Sequence, residues 1–402
     1  MADVSFGGLV REMRQARGWS LRDLGERVMF HRGYLGKVEV GERFPERRFA
    51  ELVDGALEAR GALLGAWEAE ADLRRQAERI GQILSASVTD SLKLLDVEGT
   101  DDLDALHERA AALPVDYLST PPGPMLMAGV ELRSEILGAL RQRAGADGRS
   151  RELYRSLALV QGVLTYAALD LGKPDGAAAH AALGWRLAER NDDNELRVWV
   201  RGTQSLIARF ESDYGRAQWL VEDGLRYETS GTGRLRLLAG LAQCRANLGD
   251  SPGANEALDL AEHEREHLRS HDSAGGLFEF SRAKQHYYAG SSLMWLPEHA
   301  DAERAAREAA LAVSIWEHEP PETRSLDDEA LAHVYEATAR VQLGDLDGAA
   351  SAVAPILALP PERQISWIVK RLDGLADKLD DQVYARSHDA RELRDQLRAS
   401  AG

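Results

Sequence analysis

Two cations and two glycines at helical spacing are the clearest candidates for a functional contact in this sequence. Arg32, Gly33, Gly36 and Lys37 fall on the polar face of a short predicted helix, His31 to Glu39. The glycines allow close approach, and the cations can reach base edges or phosphates, so the helix could enter a DNA major groove. The alternative is an ordinary helical hairpin with a solvated basic face.

A preceding helix and two tight turns must hold this basic face in place. Ser20 can cap that helix, because its hydroxyl accepts a backbone N–H and Asp23 follows three residues later as an approximate capping box. The chain then breaks at 28–30, and Gly41 ends the second helix, since a left-handed residue is easiest without a Cβ. The stretch 19–43 therefore predicts two short helices joined by a turn.

This stretch resembles the helix-turn-helix domain of the Xre/Cro-type regulators, in particular of their actinobacterial members. The matching segments are Leu9-Val10-Arg11, Arg17-Gly18-Trp19-Ser20-Leu21, Leu24-Gly25-Glu26-Arg27 and the run from Tyr34 to Pro45. That last run is the most specific, since the family continues from its recognition helix into a Glu-x-Gly-x-Arg-x-Pro turn. The resemblance spans residues 6 to about 67, about a sixth of the chain, and implies DNA binding.

The resemblance also indicates which residues would contact DNA. The candidates are Arg17, Arg22, Arg32, Gly33, Tyr34, Lys37 and Arg43. Two positions depart from the family, which often has Gln where this chain has Leu21 and Ala where it has Gly25. Leu21 cannot make the polar DNA contact that the Gln makes.

Further helices complete a predicted head of five helices over residues 1–65. The first helix, Ser5 to Arg17, has an apolar inner stripe, and we expect Arg11, Arg14 and Arg17 on its outer side, within reach of phosphates. An apolar stripe at steps of three and four continues from Leu63 to Leu84. It predicts either a helix packed on its own head or a helix that forms a dimer.

A five-residue motif offers a different chemistry. His263-Glu264-Arg265-Glu266-His267 matches H-E-x-x-H, in which two His side chains can hold Zn²⁺ while a Glu polarises water. Its flanks are those of a charged surface helix, where Glu and His are common. The sequence has no Walker loop and no Cys cluster. We therefore expect no enzyme, no metal and no cofactor, and keep a hydrolase as an alternative.

A repeated turn organises the rest of the chain. It joins a long helix to one that begins near an Ala, and it recurs before Ala177, Ala217, Ala254 and Ala349. One more turn is expected within 297–305. Self-similarity at about 40 residues predicts a helical solenoid, and the turns resemble those of tetratricopeptide repeats, although the ideal period there is about 34. The predicted class is all-α, a helix-turn-helix head followed by a tetratricopeptide-like α-solenoid.

The concave side of such a solenoid is where a ligand would bind. Counting back from the turns predicts a face with amide side chains, which pair both ways with a peptide backbone, and Arg residues, which can hold a carboxylate. The candidates are Tyr166, Arg209, Arg236, Gln243, Asn247, Arg282 and Gln285. Contacts between helices are the alternative role for each.

Charge and composition are consistent with this layout. The net charge is −17, but residues 11–48 carry +4, so the remainder carries −21. A basic head on an acidic body can bind DNA through one face, because the body repels the backbone. Cys244 is the one cysteine, so no disulfide forms within the chain, and neither a signal peptide nor a membrane span is expected. We expect a cytoplasmic protein.

The predicted organisation is a helix-turn-helix domain at 1–65, a helical linker at 66–125 and a tetratricopeptide-like domain at 126–402. Consecutive prolines within 121–124 mark the clearest break. The layout resembles peptide-responsive regulators, which implies a homodimer that binds a double-stranded DNA operator and a peptide or small-molecule effector. The alternative is an interaction adaptor with a vestigial head.

Overall fold

The computed structural model describes residues 5–71, 74–75, 103–142, 148–268, 272–321 and 323–401. Every regular element within these ranges is helical. The chain forms two compact units. The first holds the described residues up to 75, together with 398–401, and the second holds residues 103–397.

The described part of the first unit contains five N-terminal helices around one apolar core. They are α1 Phe6–Ala16, α2 Leu21–Val28, α3 Arg32–Glu39, α4 Arg47–Ala56 and α5 over residues 62–71. The core is formed chiefly by Phe6, Val10, Leu24, Val28, Leu35, Val38, Phe49, Val53, Leu57 and Leu63. The early part of the predicted 63–84 stripe therefore packs on its own head, while residues 76–84 lie outside the described residues.

The local signals around α2 and α3 are confirmed. Ser20 Oγ accepts from the Asp23 N–H at 3.2 Å, and the Asp23 carboxylate accepts from the Ser20 N–H at 2.7 Å. Met29 ends α2 in the left-handed region, with a φ of 57°, and Gly41 follows α3 with a φ of 76°. The predicted break at 28–30 and the predicted stop at Gly41 are thus both present.

One predicted feature of the head is wrong. Arg14 is not on the outside of α1 but is 8% exposed, and it forms a bidentate ion pair with Glu39 at 2.6 and 2.7 Å. Its third contact is a 2.6 Å hydrogen bond to the carbonyl oxygen of Trp19. Arg14 therefore links α1, the turn before α2 and the end of α3, and it is not free to meet a phosphate.

The second unit begins with α6 Leu103–Asp116 and α7 Pro122–Gln142, so the chain breaks at the prolines as predicted. The helices that follow are α8 Gly148–Asp170, α9 Pro174–Asn191, α10 Asn194–Phe210, α11 Tyr214–Gly224, α12 Gly233–Asn247, α13 Ser251–Glu266, α14 Arg282–Leu293, α15 His299–Glu317, α16 Leu326–Gln342, α17 Leu346–Leu357, α18 Ser366–Leu379 and α19 His388–Ala401. The predicted linker at 66–125 includes α6, which packs on α7 and α8.

Consecutive helices from α8 to α17 pack in five pairs, and the first helices of successive pairs pack against one another. This is the stacking of helical hairpins that the repeated turns predict. The four alanines at 177, 217, 254 and 349 are fully buried, so the paired helices can approach closely. The expected additional turn lies between α14 and α15.

The repeated turns share one construction. Gly172, Gly249 and Gly344 adopt φ values of 68°, 82° and 77°, where a residue without a Cβ is least strained. Asp250 and Asp345 then cap the next helix, because each carboxylate accepts from the backbone N–H three residues later, at 3.0 and 2.9 Å. The short turn thus ends one helix and starts the next.

Candidate functional site

The exposed face of α3 carries the cations that the sequence singled out. Arg32, Gly33 and Lys37 are exposed, and among the described residues neither cation forms an ion pair. The neighbouring Arg22, at the exposed face of α2, is instead paired with Glu26 at 2.9 Å. Two unpaired cations on one short helix form a surface that can contact phosphates or base edges.

Aromatic packing fixes the orientation of α3. Tyr34 is half-buried, stacks on Phe30 with ring centroids 5.2 Å apart, and meets Phe49 edge-on at 5.3 Å. The Arg43 guanidinium lies 4.8 Å from the Tyr34 ring centroid, and the backbone N–H of Arg43 donates to the Lys37 carbonyl at 3.1 Å. Of the predicted DNA-contact residues, Tyr34 is the one tied to the core, while the exposed Arg43 is anchored beside it.

Close contacts explain the two departures from the family pattern. A Cβ added to Gly25 would lie 2.6 Å from the carbonyl oxygen of Phe30, so the turn between α2 and α3 leaves no room for a side chain there. Leu21 packs against the core of the head, and a Cβ on Gly36 of α3 would be 3.7 Å from Leu21 Cδ1. Leu21 thus contributes an apolar contact to α3.

The second unit encloses a cavity with a volume of about 60 Å³, enough for a few water molecules. Its lining comes from the two residues after α6, Tyr117 and Leu118, from α8, α10, α12, α14, α16 and α18 with the residues just before the last two, and from the segment before α14. The polar and charged lining residues are Tyr117, Tyr166, Asp170, Arg209, Arg236, Gln243, Glu279, Lys284, Tyr287, Tyr288, Ser325, Asp327, Asp328, Tyr335 and Arg371.

One wall of the cavity is basic. Arg236 is 6% exposed and donates to the Trp199 carbonyl at 2.8 Å, to the Tyr166 hydroxyl at 2.7 Å and to Thr203 Oγ1 at 3.0 Å. Arg209 is 4% exposed and donates to the Gln243 side chain, which in turn donates to a Ser oxygen at 2.6 Å. Both guanidinium groups are therefore held by neutral oxygen atoms.

A second wall of the cavity is acidic. Tyr117 donates its hydroxyl proton to Asp170, and burial raises the pKa of the Asp170 carboxyl well above its usual value, with the charge of Asp327 adding to the effect. Burial also raises the pKa of Asp327 to about 7, although Arg363 lies 3.7 Å away. Asp328 accepts from Ser325 Oγ at 2.7 Å. Carboxyl groups are thus crowded where the first turn of α16 faces the end of α8.

The segment 272–281, which we call the crossing segment, covers one side of the cavity. A Cβ on Gly276 would be 2.4 Å from the Pro114 carbonyl oxygen on α6, and Phe278 stacks on Trp199 with centroids 4.1 Å apart. The Phe280 N–H donates to Thr232 Oγ1 at 2.8 Å. The crossing segment is thus anchored on α6, on α10 and before α12.

Residues 5–67 match the helix-turn-helix domain family. The N-terminal unit is therefore a helix-turn-helix domain, the fold in which a second helix of the motif enters the major groove. No curated protein matches the chain. Among solved structures, Bacillus thuringiensis PlcR in complex with the peptide PapR7 and DNA is similar over 66% of this chain and 99% of that chain, with 15% identity and a TM-score of 0.30.

Four of the seven ligand candidates line the cavity: Tyr166, Arg209, Arg236 and Gln243. The other three lie elsewhere. Asn247 donates to the Gln243 carbonyl of its own helix at 2.8 Å, Arg282 is paired with Glu262 at 2.7 Å, and Gln285 donates to the same Glu262 at 3.0 Å. Helical counting alone missed Tyr117, Lys284 and Arg371, because no recognised repeat turn sets their register. It also missed Asp327 and Asp328, which lie in the first turn of α16, far from the repeat turn at its other end.

The H-E-x-x-H motif lies at the exposed end of α13. Ligand atoms of His263, Glu266 and His267 lie within 4.8 Å of one another, and all three residues are exposed. Glu264, which a hydrolase would use to polarise water, is paired with Arg234 at 3.1 Å. The Glu at the water-polarising position of the motif is thus held in an ion pair. Among the described helices, none is both long and apolar enough to span a membrane.

Proposed function

We propose that this chain is a DNA-binding transcriptional regulator that inserts α3 of its helix-turn-helix domain into the major groove of an operator. The observation that carries the proposal is the family match over residues 5–67, together with the exposed, unpaired Arg32 and Lys37 on α3. Cations on this face supply the phosphate contacts that dominate affinity, and a bidentate Arg can read guanine. Such a regulator acts in the cytoplasm, where its operator lies.

The second unit, in this proposal, binds a peptide or small-molecule effector. Support comes from the cavity, whose basic and acidic walls bury charge that packing alone does not require. Buried charge without a partner costs free energy and therefore marks a site of interaction. The bound effector changes how the chain binds its operator.

The proposed regulator is a homodimer that reads two half-sites. Recognition helices of a dimer reach half-sites about 34 Å apart, or a multiple of that distance. A modest change in the spacing of two heads then alters affinity, which gives an effector a means of control. The net charge of −21 outside residues 11–48 keeps the remainder of each protomer away from the DNA backbone.

The experiment is a selection from a random-sequence duplex DNA pool at about 150 mM salt, where unspecific binding is weak. The full chain is compared with an Arg32→Ala/Lys37→Ala variant. As a matched control, Arg48→Ala/Arg60→Ala removes the same charge from exposed positions outside α1 to α3. We expect a palindromic motif with the wild type and the control, and none with the α3 variant.

Two outcomes would contradict the proposal. Equal enrichment by the α3 variant would show that α3 does not read DNA. Enrichment by none of the proteins, with or without cell extract as a source of effector, would favour an interaction adaptor whose head is vestigial.

A further inference from the structure

The cavity of the second unit has guanidinium groups on one wall and carboxyl groups on another. Arg209 and Arg236 form its basic wall, and among the described residues neither has a carboxylate within 4.0 Å. Asp170, Asp327 and Asp328 form its acidic wall in the same cavity.

Among the described residues, the Arg209 guanidinium of the basic wall lacks a hydrogen-bond acceptor for one N–H as well as a negative counter-charge. Arg209 is 4% exposed, and its Nε is buried with no hydrogen-bond partner. A buried donor without an acceptor costs roughly 1–3 kcal/mol, and more when it is charged. An anionic group in the cavity would remove this cost, and a planar carboxylate matches the guanidinium geometry.

The carboxyl groups of the acidic wall lack a close cation in the described part of the chain. Its nearest cations are Arg363, 3.7 Å from Asp327, and Lys284, 4.0 Å from Asp328, both at the long limit for an ion pair. Within the described ranges, the hydrogen bond to Asp170 comes from the neutral hydroxyl of Tyr117. An ammonium group placed here would face three carboxyl groups and could donate up to three hydrogen bonds.

We propose that the cavity binds a zwitterionic ligand, a short peptide with free ends, whose carboxylate contacts Arg209 and Arg236 and whose ammonium group contacts the aspartates of the acidic wall. This inference rests on the proposed function, in which the second unit receives the effector. Aromatic lining residues, among them Tyr288 and Trp367, contact the part of the ligand between its ends.

The present cavity is smaller than such a ligand. About 60 Å³ holds only a few water molecules, whereas pockets for organic ligands commonly measure roughly 300–1,000 Å³. The crossing segment, 272–281, supplies Leu277, Glu279 and Phe280 to the lining, so its displacement enlarges the cavity from one side. Entry of the peptide is therefore coupled to movement of this segment away from α6.

The experiment uses three pools of tripeptides with all positions randomised: free at both ends, acetylated at the N-terminus, or amidated at the C-terminus. Acetylation removes the ammonium group, and amidation removes the carboxylate. Each pool is titrated into the full chain, and the apparent Kd is measured by isothermal calorimetry. We expect the free pool to bind about tenfold or more tightly than either capped pool, since each cap removes hydrogen bonds between charged groups.

Two variants test which wall of the cavity binds each end of the peptide. Arg209→Gln is expected to abolish the difference between free and amidated peptides and to keep that between free and acetylated ones. Asp327→Asn should do the reverse, and Arg282→Gln, at an exposed Arg outside the cavity, should change neither. The wild-type comparison of the pools needs no variant, so it stands if a substitution impairs folding.

Absence of binding by the free pool, or equal binding of the three pools, would overturn the proposal. DNA binding is measured separately on the selected duplex. Cap-dependent peptide binding with unchanged DNA affinity would uphold the zwitterion site and contradict the proposed sensing. Absence of peptide binding, with DNA binding intact, would contradict the zwitterion site and leave the proposed DNA binding standing.

Discussion

Arg14 holds the recognition helix through a contact that a single-helix pattern could not reveal. It lies four residues after Val10, so helical spacing is compatible with the inner face of α1, but its partner Glu39 is 25 positions away. We expect Arg14→Ala to destabilise the head by about 3–5 kcal/mol, because it leaves the Glu39 carboxylate buried without its partner. Hydrogen exchange of α1 to α3 amides in the full chain measures this loss.

Arg11→Ala is the matched control for this prediction, since Arg11 is exposed on the same helix. Surface substitutions usually change stability by less than about 0.5 kcal/mol. Equal exchange rates in the two variants would show that the buried ion pair does not hold α3 in place.

Lys37 is expected to contribute to DNA binding chiefly through charge. Its ammonium group is exposed and unpaired among the described residues, so it is available to a phosphate. Lys37→Ala should lower affinity for all sequences and reduce the slope of log K against log salt by about 1. Fluorescence anisotropy on the selected duplex at several salt concentrations gives the slope, and an unchanged slope would contradict a phosphate contact.

The anchoring of the crossing segment on α6 can be tested at Gly276. Gly276 has a φ of 62°, and a Cβ there would be 2.4 Å from the Pro114 carbonyl. We expect Gly276→Ala to cost about 1 kcal/mol or more and to detach the segment from α6. Faster hydrogen exchange at 276–281, with stronger binding of the free tripeptide pool, is the expected result.

Gly275 offers a control one position away. It has an ordinary φ of −86°, and a Cβ there would meet no atom within 4 Å. Gly275→Ala should therefore leave exchange in the crossing segment unchanged. If the two variants behave alike, anchoring at α6 does not control this segment.

Helical elements could be predicted from the sequence wherever a local signal repeats. The Gly and Asp of each turn act within a few residues, and the small Ala of each second helix reports close packing, so the pairs were predictable. The residues that line the cavity could be predicted only in part. Its acidic wall comes from α8 and α16, which lie more than 150 residues apart, and the crossing segment carries no repeat signal. Convergence of such residues is a property of the stack and not of any one helix.

Stability of the whole chain should depend on pH through the buried acid of α16. The pKa of Asp327 is raised to about 7 by burial, so the folded state keeps a proton that the unfolded chain has lost above about pH 4. The stability that this proton contributes is fully present below the unfolded pKa and is lost as pH rises through 7. Arg363 and Asp328, with opposite charges, both face this group.

Asp327→Asn isolates this contribution. The unfolding free energy of the variant relative to wild type should rise from pH 5 to pH 7 and then level off, as measured by urea denaturation. Comparison at each pH cancels His180, whose pKa is lowered to about 4 by burial and whose effect is common to both proteins. A difference that does not change with pH would contradict the raised pKa.

In the proposed regulator, one chain joins operator recognition by α3 to ligand binding in the second unit. This coupling is measured by the Kd for the selected duplex, without and with a saturating concentration of the free-ended tripeptide pool. We expect a change of about fivefold or more, absent with Arg209→Gln, and an equal change in peptide affinity when DNA is bound. A duplex Kd that is the same with and without peptide, while the peptide is bound, would contradict it.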